Sequence, residues 1–366
     1  MIFFNINGLR KILCNINSTQ IFILSLFICV LFYAFEGLIG IDRFYHPDSS
    51  YYLKPTRIIS FDQFIDNPKI LIHRGYFILT HLLYDNYYFI ILFNFILYSL
   101  TNVLIYQRIY KKYFIVLDNF RLFLLFYLFF LDPYRLHLSS HILKETCIIF
   151  IIIMLITSNS RIIKILSILL LEIFRKNSWV YLILFLTYSN LKKIVLFLNI
   201  KKIFKTKAMY YTSTIILIFI ISFVLLSQID QNTFNYTYNF MEAQYNKVFP
   251  MRPYDEVNQF KDFGFPLGFI LKSITWPILL ISGLFFLFVS SALFKILGFI
   301  MIINHLFVYL VTKKTYISFG LLIILLMLCI YTSSFTSFYR YSYIAIYSSL
   351  IYFFLNFEID KIKKNL

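Results

Sequence analysis

Residues 86–107 read NYYFIILFNFILYSLTNVLIYQ, a run of Ile, Leu, Phe and Tyr without one acidic or basic side chain. Crossing the hydrocarbon core of a bilayer takes about 20 mostly apolar residues in a helix. A helix on the surface of a water-soluble domain instead alternates an apolar stripe with a charged face. This run has the length and lacks the charged face. It is read as a transmembrane helix.

The rest of the chain is of the same kind. Its 366 residues are 60% hydrophobic, 21% aromatic and 14% charged, against roughly 25% charged in ordinary globular domains. That composition cannot cover a soluble surface of this size, and it excludes a disordered chain, a collagen, a coiled coil and a secreted disulfide scaffold. The four cysteines, Cys14, Cys29, Cys147 and Cys329, are isolated. No CxxC spacing suggests a zinc site or a disulfide framework. Walker A, GxGxxG, HExxH and GxSxG motifs are absent, which removes support for ATP-driven transport, dinucleotide chemistry and zinc or serine proteolysis.

Further charge-free runs occupy 208–229, 273–294 and 315–339, with shorter ones at 296–312 and 341–357. Residues 21–41 qualify if Glu36 is tolerated near the end of the span. Segments 113–131, 141–157, 162–174 and 178–189 are apolar but short or flanked by charge. The expected fold is all-α: a polytopic transmembrane bundle of about 10–12 spans, one integral membrane domain over 1–366, with interfacial helices in its outer loops. The first apolar run meets no small-x-small cleavage site, so a retained helix is expected.

The formal net charge of +17 is read as orientation rather than as affinity for nucleic acid. Basic clusters at Arg10–Lys11, at Arg108, Lys111, Lys112 and Arg121, at Arg161 and Lys164, and from Lys192 to Lys207 all fall on one side if the spans alternate. Short cytoplasmic loops carry such an excess. The N-terminus is therefore expected in the cytoplasm and the protein in the bacterial cytoplasmic (inner) membrane. The large opposite loops, about 42–85 and 230–266, are balanced or acidic. After residue 266 simple alternation puts Lys313–Lys314 and the tail Lys361, Lys363 and Lys364 on one side only with a re-entrant segment between 267 and 311, and the number of spans there stays open.

Polar groups in or beside a membrane are costly and serve as the default functional candidates. The first cluster is His46-Pro47-Asp48-Ser49-Ser50-Tyr51-Tyr52, just beyond the first span. Asp48 suits either a loop cap or a general base whose pKa partial burial raises. Residues 55–66 after it have the mixed pattern of a helix lying on the interface. The second cluster runs from Asp132 to Glu145 and threads to the same side. Helical spacing from His137 onward puts His137, His141 and Glu145 on one face with Lys144 beside them. That set suits a divalent metal ion, a phosphate or sugar, or side chains snorkelling from a helix end. No other cofactor is expected. The third cluster, Glu172 to Trp179, places Arg175 and Lys176 on the outer side, where the charge rule disfavours them; an anionic lipid phosphate or headgroup explains them. Arg340, in Phe338-Tyr339-Arg340-Tyr341, is a fourth candidate.

In these residues the chain resembles bacterial membrane glycosyltransferases of the GT-C class and surface-polysaccharide polymerases of the O-antigen type. Asp48-Ser49 with Tyr52 is similar to the start of their catalytic outer loop. Ser139-Ser140-His141-Ile142-Leu143-Lys144-Glu145 is similar to a Ser…Leu-Lys-Glu/Asp helix start. Phe174-Arg175-Lys176-Asn177 resembles an Arg-containing turn, with Lys where the family often has Pro. Arg340-Tyr341 resembles a late Arg-Tyr element without its usual Pro. The resemblance touches four places spread along the chain. It implies a polyprenyl-phosphate-linked sugar or oligosaccharide as substrate, Asp48 as catalytic base, and His141, Lys144, Glu145, Arg175 and Arg340 as substrate-binding residues.

The expected function is glycosyl transfer or repeat-unit polymerisation in O-antigen, capsule or exopolysaccharide assembly, with the bilayer, the lipid-linked sugar and other assembly proteins as partners. The alternative is a transporter or flippase for the same lipid-linked oligosaccharide. Nine glycines and no internal repeat fit a transporter less well.

Overall fold

In the computed structural model the first apolar run becomes α1, Ser18–Leu38. The structure describes residues 15–41, 49, 52–53, 69–110, 126–127 and 130–174, with scattered later positions at 263, 267–268, 270–271, 275, 343–344, 347–348 and 351. The chain forms two compact units, Met1–Tyr181 with Leu306–Thr312 and Ile346–Leu366, and Leu182–His305 with Lys313–Ala345. All helices named below belong to the first. Among the described residues the structure is entirely helical.

A capping box starts α1: Asn17 Oδ1 accepts from the Gln20 amide and Gln20 Oε1 from the Asn17 amide, both at 2.8 Å. Two orphan donors are satisfied this way. At the other end the Ile41 amide donates to the Glu36 carbonyl at 2.9 Å and the Gly40 amide to the Gly37 carbonyl at 3.2 Å. This is a Schellman closure. It requires a left-handed residue, and Gly40 has φ +78°.

The burial of α1 is the reverse of a soluble helix. Its buried residues are Ile21, Ser25, Cys29 and Glu36, while Ile23, Phe27, Val30, Leu31, Phe35 and Leu38 are exposed. Small and polar groups facing inward with an apolar exterior is the arrangement that lipid surroundings favour.

Helix α2 spans Lys69–Leu82 and α3 spans Tyr87–Ile105, continued by a π-helical turn at Tyr106–Tyr110. Tyr84 and Asp85 take left-handed backbone between them. Asn86 then caps α3, accepting from the Tyr88 and Phe89 amides at 2.9 and 3.3 Å. Helices α1 and α3 run antiparallel. Gln107 Nε2 donates to Ser18 Oγ at 2.8 Å, Asn102 Nδ2 to Ser25 Oγ at 2.9 Å, and the Tyr33 and Phe95 rings meet edge-on at 6.2 Å. Both α1 and α3 are long and apolar enough to cross a membrane.

Three shorter helices follow: α4 over Pro133–Ser139, α5 over Glu145–Thr157 and α6 over Arg161–Phe174. Helix α5 is central, packing on α3 and α6 and burying most of its Ile residues. Residues 141–157 were expected to make one span. The helix instead begins at Glu145 and has 13 residues, or about 20 Å at 1.5 Å per residue. That falls short of the roughly 30 Å hydrocarbon core.

Helix α2 packs on α6 at Gly75. A Cβ there would lie 2.4 Å from Ile173 Cγ2 and 2.7 Å from the Ile173 carbonyl oxygen. Because backbone must yield as well as side chain, Gly75→Val is expected to lower stability by about 1–3 kcal/mol. Thermal unfolding in detergent would read this, and an unchanged midpoint would contradict the close approach.

Candidate functional site

The sequence expectation for residues 137–145 was one continuous helix face. The structure breaks it. Helix α4 ends at Ser139 and α5 starts at Glu145, so His137 and Glu145 lie on different helices. Two serines supply the local reason. Ser139 Oγ and Ser140 Oγ both donate to the Leu136 carbonyl, at 2.7 and 3.1 Å, competing with the helical ladder as short hydroxyl side chains do.

The irregular turn is then secured carbonyl by carbonyl. Thr146 Oγ1 donates to the Leu138 carbonyl at 3.2 Å, Asn94 Nδ2 to that of His141 at 2.8 Å, and Ser49 Oγ to that of Ile142 at 3.5 Å. Non-helical backbone at membrane depth is tolerated where protein satisfies it in this way.

The break turns His137 and His141 toward α1. Their rings meet edge-on at 4.6 Å, and both face Glu36. His137 Nδ1 lies 2.5 Å from Glu36 Oε1. His141 Nε2 lies 3.6 Å from Glu36 Oε2. All three residues are buried, at 3%, 0% and 2% exposure for Glu36, His137 and His141.

A second buried network starts from the same short helix. Asp132 caps α4, accepting from the Tyr134 and Arg135 amides at 2.9 and 3.2 Å. The Arg135 guanidinium donates to the Tyr347 hydroxyl and to Asn102 Oδ1. It stacks 3.9 Å above the Tyr98 ring, and Tyr98 donates to the Phe130 carbonyl at 2.8 Å.

Among the sequence candidates, His141 joins Glu36 and His137. Lys144 precedes α5 and is half-buried. Glu145 is buried in the first turn of α5, where the helix dipole favours a carboxylate. It lies within electrostatic reach of the Tyr76 hydroxyl. Asp48, Arg175 and Arg340 lie outside the described residues, but near neighbours of the first two do not. Ser49 is buried against Ile142. Tyr52 meets the Tyr76 ring edge-on at 4.7 Å, and Phe174 meets the same ring at 6.4 Å. Tyr52 and Phe174, which follow Asp48 and precede Arg175 in the sequence, thus meet at Tyr76, and Glu145 lies within reach of the same residue.

Sequence reasoning passed over Glu36 and Arg135. A carboxylate inside an apolar span was itself the available signal for Glu36, though it was read there only as tolerated. No family model, curated protein or solved structure matches the chain.

Proposed function

We propose that the chain is a polytopic membrane glycosyltransferase, of GT-C or repeat-unit polymerase type, acting on polyprenyl-phosphate-linked sugars at the outer face of the bacterial cytoplasmic membrane. The observation that carries this is the approach of three sequence-distant segments to Tyr76: Tyr52 and Phe174 meet its ring, and Glu145 lies within its electrostatic reach. A site that must hold a base, a lipid phosphate and a sugar hydroxyl together needs such a convergence. The antiparallel α1–α3 pair adds support for the orientation. It brings Ser18, at the start of α1, beside Gln107, after the end of α3, and a common side for these two helix ends is what the positive-inside reading of the sequence calls for.

In this mechanism Asp48 takes the proton of the acceptor hydroxyl. The acceptor oxygen forms a new bond to the anomeric carbon while the bond from that carbon to the lipid phosphate oxygen breaks. Negative charge builds on the leaving phosphate, and Lys144 and Arg175 offset it, the main electrostatic need of the step. Glu145 orients Lys144 or a sugar hydroxyl, and His141 lines the acceptor side.

The test is purified full-length protein with synthetic polyprenyl-pyrophosphate oligosaccharide. Lengthened glycan with released polyprenyl (pyro)phosphate is the expected result. One observation favours the transporter alternative: the helix broken between Ser139 and Glu145 is the kind of discontinuity that transporters place at substrate sites. Accelerated flipping of the same lipid in proteoliposomes, without glycan product, would replace the enzyme reading with that one.

A further inference from the structure

We infer that Glu36, His137 and His141 form a binding site for one divalent transition-metal ion of the Zn²⁺ class. The inference stands independently of glycosyl transfer. Two parts of the chain about a hundred residues apart bring their donors together: the last turn of α1, with Glu36, and α4 with the break that follows it, with His137 and His141. One ligand atom from each residue lies within 4.8 Å of the other two. An ion held at about 2.0–2.2 Å from each donor in tetrahedral geometry needs donors roughly 3.3 Å apart. His137 Nδ1 lies 2.5 Å from Glu36 Oε1 and His141 Nε2 lies 3.6 Å from Glu36 Oε2, so each imidazole approaches one oxygen of the carboxylate. Side-chain adjustment of under about 1 Å on each arm suffices.

The surroundings supply what such a site requires. The arms are anchored: the Schellman closure fixes the backbone at Glu36, and Asn94 holds the His141 carbonyl. Supporting contacts of this kind set ligand orientation. Charge argues the same way. A carboxylate buried beside two imidazoles is a setting that a divalent cation stabilises.

Two imidazole nitrogens with one carboxylate select borderline ions such as Zn²⁺, Mn²⁺ or Fe²⁺ over the all-oxygen preference of Mg²⁺ and Ca²⁺. Three protein ligands also leave a coordination position open, the hallmark of sites that bind water or a substrate oxygen rather than purely structural ones.

The test uses full-length protein purified without a polyhistidine tag, loaded with ZnCl2, desalted and measured for metal content. Stoichiometric zinc in the wild type is expected. Since loss of a mere supporting contact weakens metal affinity about 10–100-fold, Glu36→Gln and His141→Gln should each weaken it at least about tenfold. His81→Gln, which removes the exposed His81–Asp85 pair as an adventitious ligand, should leave binding unchanged. Because a variant can fail by misfolding, wild-type protein loaded with Co²⁺ provides a second readout. A strong visible absorption band, lost on adding Zn²⁺, reports a low-coordinate protein site. Substoichiometric zinc with no such band would overturn the inference, as would retention of full affinity by both Glu36→Gln and His141→Gln.

Discussion

Arg135→Met is expected to destabilise the protein by about 3–5 kcal/mol, the usual cost of removing one member of a buried charged network. The methionine fills most of the arginine's volume, so the loss is electrostatic rather than a cavity. The Tyr347 hydroxyl and Asn102 Oδ1 each lose a charged donor, and Tyr98 loses the cation on its face. Asp132, itself 1% exposed and capping α4 through the Tyr134 and Arg135 amides, keeps its buried negative charge close to the lost cation. Arg135→Lys should recover part of the stability, since it restores charge without the planar fork that serves two partners at once. Adding Asp132→Asn to Arg135→Met should cost less than the two single losses combined, because the stranded charge is gone. Thermal unfolding in detergent reads all three. A midpoint for Arg135→Met equal to the wild type would show that the network carries no stability.

What the sequence made legible follows from the range of the interactions involved. The expected spans 21–41 and 86–107 match α1 and α3 within a few residues, because length and apolar content are local. The segment 162–174 matches α6 for the same reason. The helix break was not legible from spacing. His137, His141 and Glu145 satisfy the four-residue period, and only the competing hydroxyls of Ser139 and Ser140, with carbonyl partners contributed by Ser49 and Asn94, undo it. The partner of His137 was less legible still. Glu36 lies 101 residues away in sequence, and Tyr347 lies 212 from Arg135. No local pattern encodes such pairings. What the sequence does show is the cost of each charge in an apolar setting, and that cost marks both Glu36 and Arg135 as groups that need partners.

Both networks hang on α4, and this links stability to chemistry. Arg135 points toward Asn102 and Tyr98 on α3, while His137, two residues later, points toward Glu36 on α1. Successive side chains on this short helix thus address two different neighbours. Disturbing the arginine network should shift the histidines as well, so an Arg135 variant that remains folded is expected to bind metal more weakly than the wild type.

Asp48→Asn is expected to lower the rate of glycan transfer by about 10²–10⁴-fold, the contribution of a positioned general base, which corresponds to about 3–5 kcal/mol in the barrier. Asparagine keeps the size and the hydrogen-bonding shape of the carboxylate but cannot take the acceptor's proton. The fold should not register the change. The segment is held by its neighbours, through Ser49 Oγ on the Ile142 carbonyl and the Tyr52 ring against Tyr76 and Phe77, so the thermal midpoint should stay at the wild-type value. Ser49→Ala separates positioning from chemistry. It loosens the tether between the loop and the helix break while leaving the carboxylate, and should reduce the rate less than Asp48→Asn does. If Asp48→Asn transfers glycan at the wild-type rate, Asp48 is not the base. The buried Glu36 then becomes the next carboxylate to test, because it is held beside two imidazoles in the same helical unit.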